Sequence, residues 1–348
     1  MTHPRTWRIG FAGFGNVNRA LATLLLDRRD EIEGRFGLSF TPVLAGTKRR
    51  GALVSERGID LAAALADGWP EGPPLDEALD GTPIDLLFEA TPLEPKTGEP
   101  ATSRLRRLLD RGVAVVSANK GPLAFAAAEL LDLAQKRKCG FRFESTVADC
   151  LPVFDLFEAA MPAGRLLRFE GVFNSTSNRV LHAMAEGRSL EEAVREAQRL
   201  GVAEADPAHD LDGWDQAVKG VIVANVLCGE NLRPRDVERT PVSEVDLDWL
   251  RREERQGKTV RLAVSGGRGM PVRVAPIAFP PGSFLATLGA GALGASFETE
   301  LAGTLRVGSA DSTVAQTAYG MLTDFVAIHQ GRLAVPSPLR DRASTARP

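Results

Sequence analysis

The stretch Gly13-Phe14-Gly15-Asn16-Val17-Asn18 constrains this chain most, because it joins an apolar run to an amphipathic one. Trp7 to Ala12 reads as a β-strand and Val17 to Arg28 as a helix. Glycines at such a joint have two uses. Gly13 allows a tight turn, and Gly15 lets the backbone approach a pyrophosphate held at the helix N-terminus. Gly13, Phe14, Gly15, Asn16 and Val17 are therefore the expected phosphate-binding residues. Asn18 stands where the usual fingerprint has a third glycine, so an ordinary strand-to-helix turn stays open as the alternative.

The pattern that follows supports a nucleotide domain. Short apolar runs at Phe40–Ala45, Leu86–Ala90, Val113–Ser117 and Gly140–Glu144 alternate with helical stretches at Ser103–Arg111 and Phe125–Arg137. That alternation is the signature of βαβ units and a mostly parallel sheet. After Glu144 the pattern changes. Arg165–Phe173, Val272–Pro276 and Ala302–Val307 read as strands, Leu190–Leu200 and Trp214–Val226 as helices, and Thr313–Ile328 as a long helix near the end. The fold class expected is α/β, a Rossmann-type dinucleotide-binding domain with a second α+β catalytic and dimerisation domain. The expected boundaries are 1–145 for the first domain, with 311–335 packing back on it, 146–310 for the second, and 336–348 as a flexible tail.

The end of the second strand bears on the cofactor. An acid there would bind the ribose 2′-hydroxyl of NAD and repel a 2′-phosphate, but the sequence runs Ala45-Gly46-Thr47-Lys48-Arg49-Arg50. Lys48 and Arg49 suit a 2′-phosphate, which favours NADP with NAD as the other possibility. A solvated basic loop is the alternative reading of the same residues.

Composition narrows the partners. The chain has 348 residues, 42 basic and 45 acidic, for a net charge of −3. Such a balance lacks the clustered basic excess that nucleic-acid binding needs. No apolar stretch approaches the ~18 residues that span a bilayer, and the first residues lack the pattern of a secretory leader. Three cysteines, Cys139, Cys150 and Cys228, have no CxxC spacing, which fits free thiols in a reducing compartment. A cytoplasmic protein without nucleic-acid or membrane partners is expected. Only seven of the basic residues are lysine, so each lysine is informative.

One of them, Lys219, falls in a stretch dense in carboxylates, Leu200 to Lys219. Read as a helix from Trp214, Asp215 and Lys219 share a face, one turn apart, and Ile222 and Val226 continue that face as an apolar stripe. Val218, Val221 and Val223 make most of the remaining surface apolar. A buried Lys and Asp are costly unless they pair or face a cleft, so the two are site candidates. A structural ion pair at a domain interface is the other reading.

Taken together, these motifs are specific. SANKGPLA (Ser117–Ala124), ESTVADCLPVF (Glu144–Phe154), GVFNSTSNRVLHAM (Gly171–Met184), LGVAEADPAHDLDGWDQAVK (Leu200–Lys219) and GSADSTVAQTAYG (Gly308–Gly320) occur in this order after the GFGNV turn. The chain resembles homoserine dehydrogenase, in the short form without a C-terminal regulatory domain, over nearly its whole length. The resemblance implies oxidation of the γ-hydroxyl of L-homoserine to aspartate 4-semialdehyde with NAD(P), and the reverse reduction in threonine and methionine biosynthesis.

The resemblance also implies roles. Lys219 matches the lysine of proton transfer, and Lys120 a second lysine close to the nicotinamide and substrate. Asp215 would hold substrate polar groups and Lys219, Glu204 would receive the amino-acid ammonium, and Asp210 is a further active-site carboxylate. Asn174, Ser175 and Thr176 resemble a substrate loop. Thr91 would pack beside the nicotinamide ribose, and Ser117 and Asn119 are further implied cofactor-binding residues. Glu144, with backbone carbonyls of Val147, Asp149 and Leu151, resembles a loop that binds a monovalent cation such as Na+ at the hinge between domains. Cys150 departs from the family there, where glycine is usual. A homodimer through the second domain is implied. The alternatives are a dehydrogenase of another small amino acid and an NADP-binding sensor without turnover.

Overall fold

The computed structural model describes residues 6–333, except 163, 202 and 205; the expected tail 336–348 lies outside the described residues. The chain divides into two compact units. Among the described residues, the first contains those up to Cys150 and those from Thr313 to Leu333, and the second runs from Leu151 to Ser312.

The first unit contains β1 (Thr6–Ala12), α1 (Asn16–Asp27), α2 (Arg29–Phe36), β2 (Ser39–Thr47), β3 (Gly51–Val54), α3 (Leu61–Ala66), α4 (Leu75–Gly81), β4 (Leu86–Glu89), α5 (Ala101–Asp110), β5 (Ala114–Ser117), α6 (Lys120–Arg137) and β6 (Phe141–Arg142). Its sheet has the order β3-β2-β1-β4-β5-β6. All neighbours are parallel except β3, which pairs antiparallel with β2. β4 and β5 are buried along their whole length, as strands covered on both faces must be. The strand order runs outward from β1 in both directions, so β1 and β4 flank the switch point where such sheets bind ligands.

Sequence patterning missed the short elements α2, β3, α3 and α4. It also placed the start of α6 at Phe125, whereas the helix begins at Lys120 and is kinked at Ala126. The last strand shrinks to Phe141–Arg142, because the chain turns into a tight helical turn at Glu144–Thr146.

The second unit supplies β7 (Leu166–Val172), α7 (Ser175–Ala185), α8 (Leu190–Arg199), α9 (Ala208–Leu211), α10 (Trp214–Val223), β8 (Glu238–Arg239), α11 (Leu247–Arg255), β9 (Thr259–Gly267), β10 (Met270–Phe279), α12 (Phe284–Thr287), β11 (Leu293–Thr299) and β12 (Gly303–Ser309). Its sheet has the order β12-β11-β7-β9-β10-β8, antiparallel except for the short β8–β10 pair. α7 and α10 lie against β9, and two buried amides fix them there. Gln216 Nε2 donates to Leu262 O at 2.8 Å and its Oε1 accepts from Phe173 N; Asn178 exchanges hydrogen bonds with the backbone of Leu262. β9 and β11 were not legible, and the segment read as a substrate loop at Ser175–Thr176 is the first turn of a helix.

The final helix, α13 (Val314–His329), belongs to the first unit. Phe325 is buried against Trp7, Phe40 and Phe88, and burying such a ring contributes about 1.5–3 kcal/mol. Charge fixes the helix as well. Arg142 Nε meets Asp324 Oδ1 at 3.0 Å, both essentially without solvent exposure, and Asp324 Oδ2 accepts from Glu144 N at 2.9 Å. A Cβ at Gly320 would fall 2.3 Å from Ser145 Oγ, so the helix lies directly on the Glu144–Cys150 segment. Removing one partner of a buried pair leaves an uncompensated charge. Arg142→Met is accordingly expected to lower stability by about 3–5 kcal/mol, read as a shifted denaturant midpoint; an unchanged midpoint would contradict the importance of this pair.

Candidate active site

In the first unit the turn after β1 is built for close approach. Gly13 has φ +80°, and a Cβ there would lie 2.6 Å from Ala90 O, while nothing stands within 4 Å of a Cβ at Gly15. Gly13 N and Phe14 N both donate to Gly46 O at the end of β2, so those two amides hold the turn. The α1 N-terminus, with no side chain capping it, leaves its first amides for an anion at Asn16 and Val17. Asn18 replaces the third glycine with three contacts: fully buried, its Nδ2 points at the carbonyls of Ala12, Gly13 and Phe88, at 3.0, 3.1 and 3.2 Å. The departure from the fingerprint thus ties the turn to β1 and β4 and leaves the open side at Gly15 unobstructed. These features fit a dinucleotide.

Lys48 and Arg49 are exposed on the β2–β3 turn. Arg50, the third cation of that run, is engaged elsewhere, donating to the carbonyls of Asp67 and Trp69.

At the carboxyl ends of β4 and β5 the side chains expected to bind the cofactor turn inward. Thr91 N donates to Glu89 Oε1 at 2.8 Å, and the Thr91 hydroxyl donates to the same oxygen. Asn119 Nδ2 donates to Thr91 Oγ1 at 3.0 Å, while Asn119 Oδ1 accepts from Gly121 N at 2.9 Å and caps α6. Ser117 Oγ bonds the backbone of Asn119 in both directions. Lys120 is the first residue of α6. Neither Glu89 nor its partner Arg104 carried a signal in the sequence, since a pair fifteen residues apart follows no helical or strand spacing.

In the second unit, five of the expected residues converge. Asn174 ends the segment after β7 and caps α7, its Oδ1 accepting from Ser177 N at 2.9 Å. Its Nδ2 reaches Asp210 Oδ1 at 2.7 Å and Asp215 Oδ2 at 3.0 Å. Lys219 Nζ meets Asp215 Oδ2 at 2.7 Å, one turn along α10, and donates to Phe173 O at 2.5 Å. The Thr176 hydroxyl bonds Asp210. Burial, and then the neighbouring Asp215 carboxylate, push the Asp210 acid above the usual carboxylate range, against the pull of Asn174, Lys219 and Thr176. Ser175 is the first residue of α7. Glu204 stands apart from these contacts: it is exposed, with its carbonyl accepting from Gln198 Nε2.

The segment expected to bind a cation is partly buried structure. Glu144 and Val147 are buried, and Asp149 adopts a left-handed φ of 55°, which aspartate tolerates better than most residues. Its Oδ1 accepts from Thr317 at 2.9 Å. Because the left-handed position is Asp149 and not Cys150, the turn makes no demand for glycine at Cys150. Burial and the Asp149 and Glu144 carboxylates raise the Cys150 thiol, opposite to what a nucleophile needs. Leu151 opens the second unit.

A dinucleotide turn in one unit and a lysine–carboxylate cluster in the other set the terms for comparison with known proteins. The sequence profile described as Homoserine dehydrogenase matches residues 152–326. An NAD(+)-dependent homoserine dehydrogenase of Pseudomonas canavaninivorans is 35% identical over 93% of this chain and 96% of its own length. The chain belongs to the homoserine dehydrogenase family. The homoserine dehydrogenase of Methanocaldococcus jannaschii is 31% identical over 91% of this chain and 97% of its own length. A hyperthermophilic archaeal homoserine dehydrogenase, solved in complex with NADPH, superposes with a TM-score of 0.81 at 25% identity, covering 94% of this chain and 98% of that one. Family members are NAD(P)-dependent oxidoreductases, so the site is that of an enzyme.

The raised pKa of Asp210 has a consequence for stability. In the pH range between the ordinary carboxylate value and the raised one, the native state holds a proton that the unfolded chain has released. The acid's contribution is therefore fully present below the unfolded value and lost as pH rises through the folded value. Asp210→Asn should gain stability relative to the unaltered protein on going from acidic to neutral pH, measured as melting temperatures of both across that range. A constant difference between the two would show that Asp210 titrates normally.

Proposed function

We propose that this protein interconverts L-homoserine and aspartate 4-semialdehyde by hydride transfer, with NADP preferred over NAD. The Asn174–Asp210–Asp215–Lys219 cluster carries the reading, because it joins a proton-transfer group to carboxylates suited to an amino-acid substrate. Bound nicotinamide nucleotide supplies the hydride acceptor or donor. An ammonium has three donors; Lys219 directs two at Phe173 O and Asp215, which leaves one for the substrate oxygen. In the reductive direction Lys219 gives that oxygen its proton; in the oxidative direction the neutral amine takes it back. Asp215 keeps Lys219 oriented and, with Asp210 and the α7 N-terminus at Asn174, Ser175 and Thr176, receives the polar groups of the amino acid. Glu204 is assigned to the substrate ammonium and would have to turn from its exposed position to meet it. Lys120 is the second cation, on the nicotinamide side with Thr91, Ser117 and Asn119.

Two observations support NADP: no acid ends β2, and Lys48 and Arg49 are exposed beside it. The names of the relatives divide between NAD(+) and NADPH. We also assign a monovalent cation such as Na+ to Glu144, Val147, Asp149 and Leu151, supported by the oxygen-only donor set. A homodimer in the cytoplasm completes the reading. Its support is an open groove on the β7–β12 sheet lined by Glu170, Ser265, Arg273 and Ser296, together with free thiols at all three cysteines. No helix of the described residues is long and apolar enough to cross a membrane.

With L-homoserine and NADP+ the protein should generate the near-ultraviolet absorbance of the reduced nucleotide; folded protein giving no signal with either nucleotide would overturn the reading. Lys219→Ala should lower kcat by about 10²–10⁴-fold while nucleotide affinity stays within twofold; retention of most activity would reject its role. Exchanging Lys48 and Arg49 for glutamine should weaken NADP by about tenfold or more, since a hydrogen bond to a charged group contributes about 1.5–3 kcal/mol, and leave NAD nearly unaffected. Equal effects on both nucleotides would remove the 2′-phosphate argument.

A further inference from the structure

Glu89 ends β4 with no solvent exposure, and the charge it carries is matched within the first unit. Its Oε2 accepts from Arg104 Nη1 at 3.0 Å. Arg104, itself only 4% exposed, makes a two-pronged pair with Asp76, Nε to Oδ1 at 3.0 Å and Nη2 to Oδ2 at 2.9 Å. Asp76 in turn accepts from the half-exposed Arg107 at 2.9 Å. The four charges sum to zero, and the chain of pairs runs from the surface to the end of β4. Burying such groups is no route to greater stability, because apolar residues of similar volume do as well or better. Their value must lie in what the Glu89 carboxylate fixes.

The other oxygen of that carboxylate decides a direction. A carboxylate only accepts, so the single proton of the Thr91 hydroxyl is drawn to Glu89 Oε1. The hydroxyl then has only lone pairs for its other neighbour, and it receives Asn119 Nδ2. With its amide nitrogen held by Thr91, Asn119 must turn its Oδ1 to Gly121 N, which caps α6 immediately beside Lys120. Each bond sets the polarity of the next.

We propose that Glu89, locked by Arg104, is a positioning residue for Lys120, acting through the Thr91 hydroxyl and the Asn119 amide. The proposal rests on the reading that Lys120 serves the reaction. Its structural half, the fixing of the α6 N-terminus, stands on the bonds alone.

Thr91 is the link to break, since its replacement leaves the Glu89–Arg104 pair intact. Thr91→Val keeps the shape and deletes the hydroxyl; Thr91→Ser keeps the hydroxyl. For homoserine oxidation, Thr91→Val should lower kcat at least tenfold with less than a threefold change in nucleotide KM, and Thr91→Ser should return kcat to within threefold. Amide hydrogen exchange over residues 118–123, followed by mass spectrometry without substrate or nucleotide, should accelerate in Thr91→Val and recover in Thr91→Ser. A kcat within twofold of the parent in Thr91→Val overturns the proposal, as does a loss that Thr91→Ser fails to rescue. Unchanged exchange in Thr91→Val overturns it independently of any activity. If the unaltered protein oxidises no homoserine, the functional reading has failed and the exchange measurement alone decides whether the α6 N-terminus is held in this way.

Discussion

The site in the second unit depends on one asparagine. Asn174 uses its Oδ1 to start α7, its backbone carbonyl to receive Asn178, and its Nδ2 to reach two carboxylates from α9 and α10. Two acids this close repel each other, and an amide donor shared between them, with Lys219 on the second, offsets that repulsion. The residue that terminates the strand segment, begins the helix and gathers the charges is thus the same one. A change that moved the start of α7 by one residue would take the Asn174 amide away from Asp210 and Asp215 at once.

How much of this was legible in the sequence follows from the range of each signal. The strand–GFG–helix joint and the shared face of Asp215 and Lys219 are local, and both could be read from neighbouring residues. The Asp215–Lys219 pair at 2.7 Å is what a one-turn spacing on a helix delivers. α2, α3 and α4 are too short for a periodic pattern to stand out, and β9 is a largely buried run without alternation. Asn174-Ser175-Thr176 carries a helix-start signal in the capping preference of asparagine, which the loop reading passes over. The inward engagement of Thr91 and Asn119 was beyond sequence reasoning, because it joins separate elements to a Glu89 that Arg104 holds. Glu204 shows the limit of motif matching, which names a residue without orienting it.

The scarcity of lysine acquires a physical sense here. Arginine meets the structural needs of the chain: Arg104 and Arg142 are buried and paired through the planar, multi-donor geometry that suits fixed ion pairs. Lysine, a compact charge that can give up its proton, stands at Lys120 and Lys219, where chemistry is proposed. The replacement of a glycine by Asn18 has a similar logic, since one buried amide connects three carbonyls that a glycine would have left to other partners.

The pairing of Arg142 with Asp324 spans 182 residues of chain. During synthesis at about 5–20 residues per second, Arg142 therefore waits on the order of ten to forty seconds for its counter-ion. The whole second unit emerges in that interval. Until α13 arrives, Arg142 lacks the Asp324 carboxylate and the Glu144–Cys150 segment has no helix to lie on. The nucleotide-binding unit begins first and finishes last, and a chain that stops short of residue 324 lacks the carboxylate that pairs with Arg142 and receives Glu144 N.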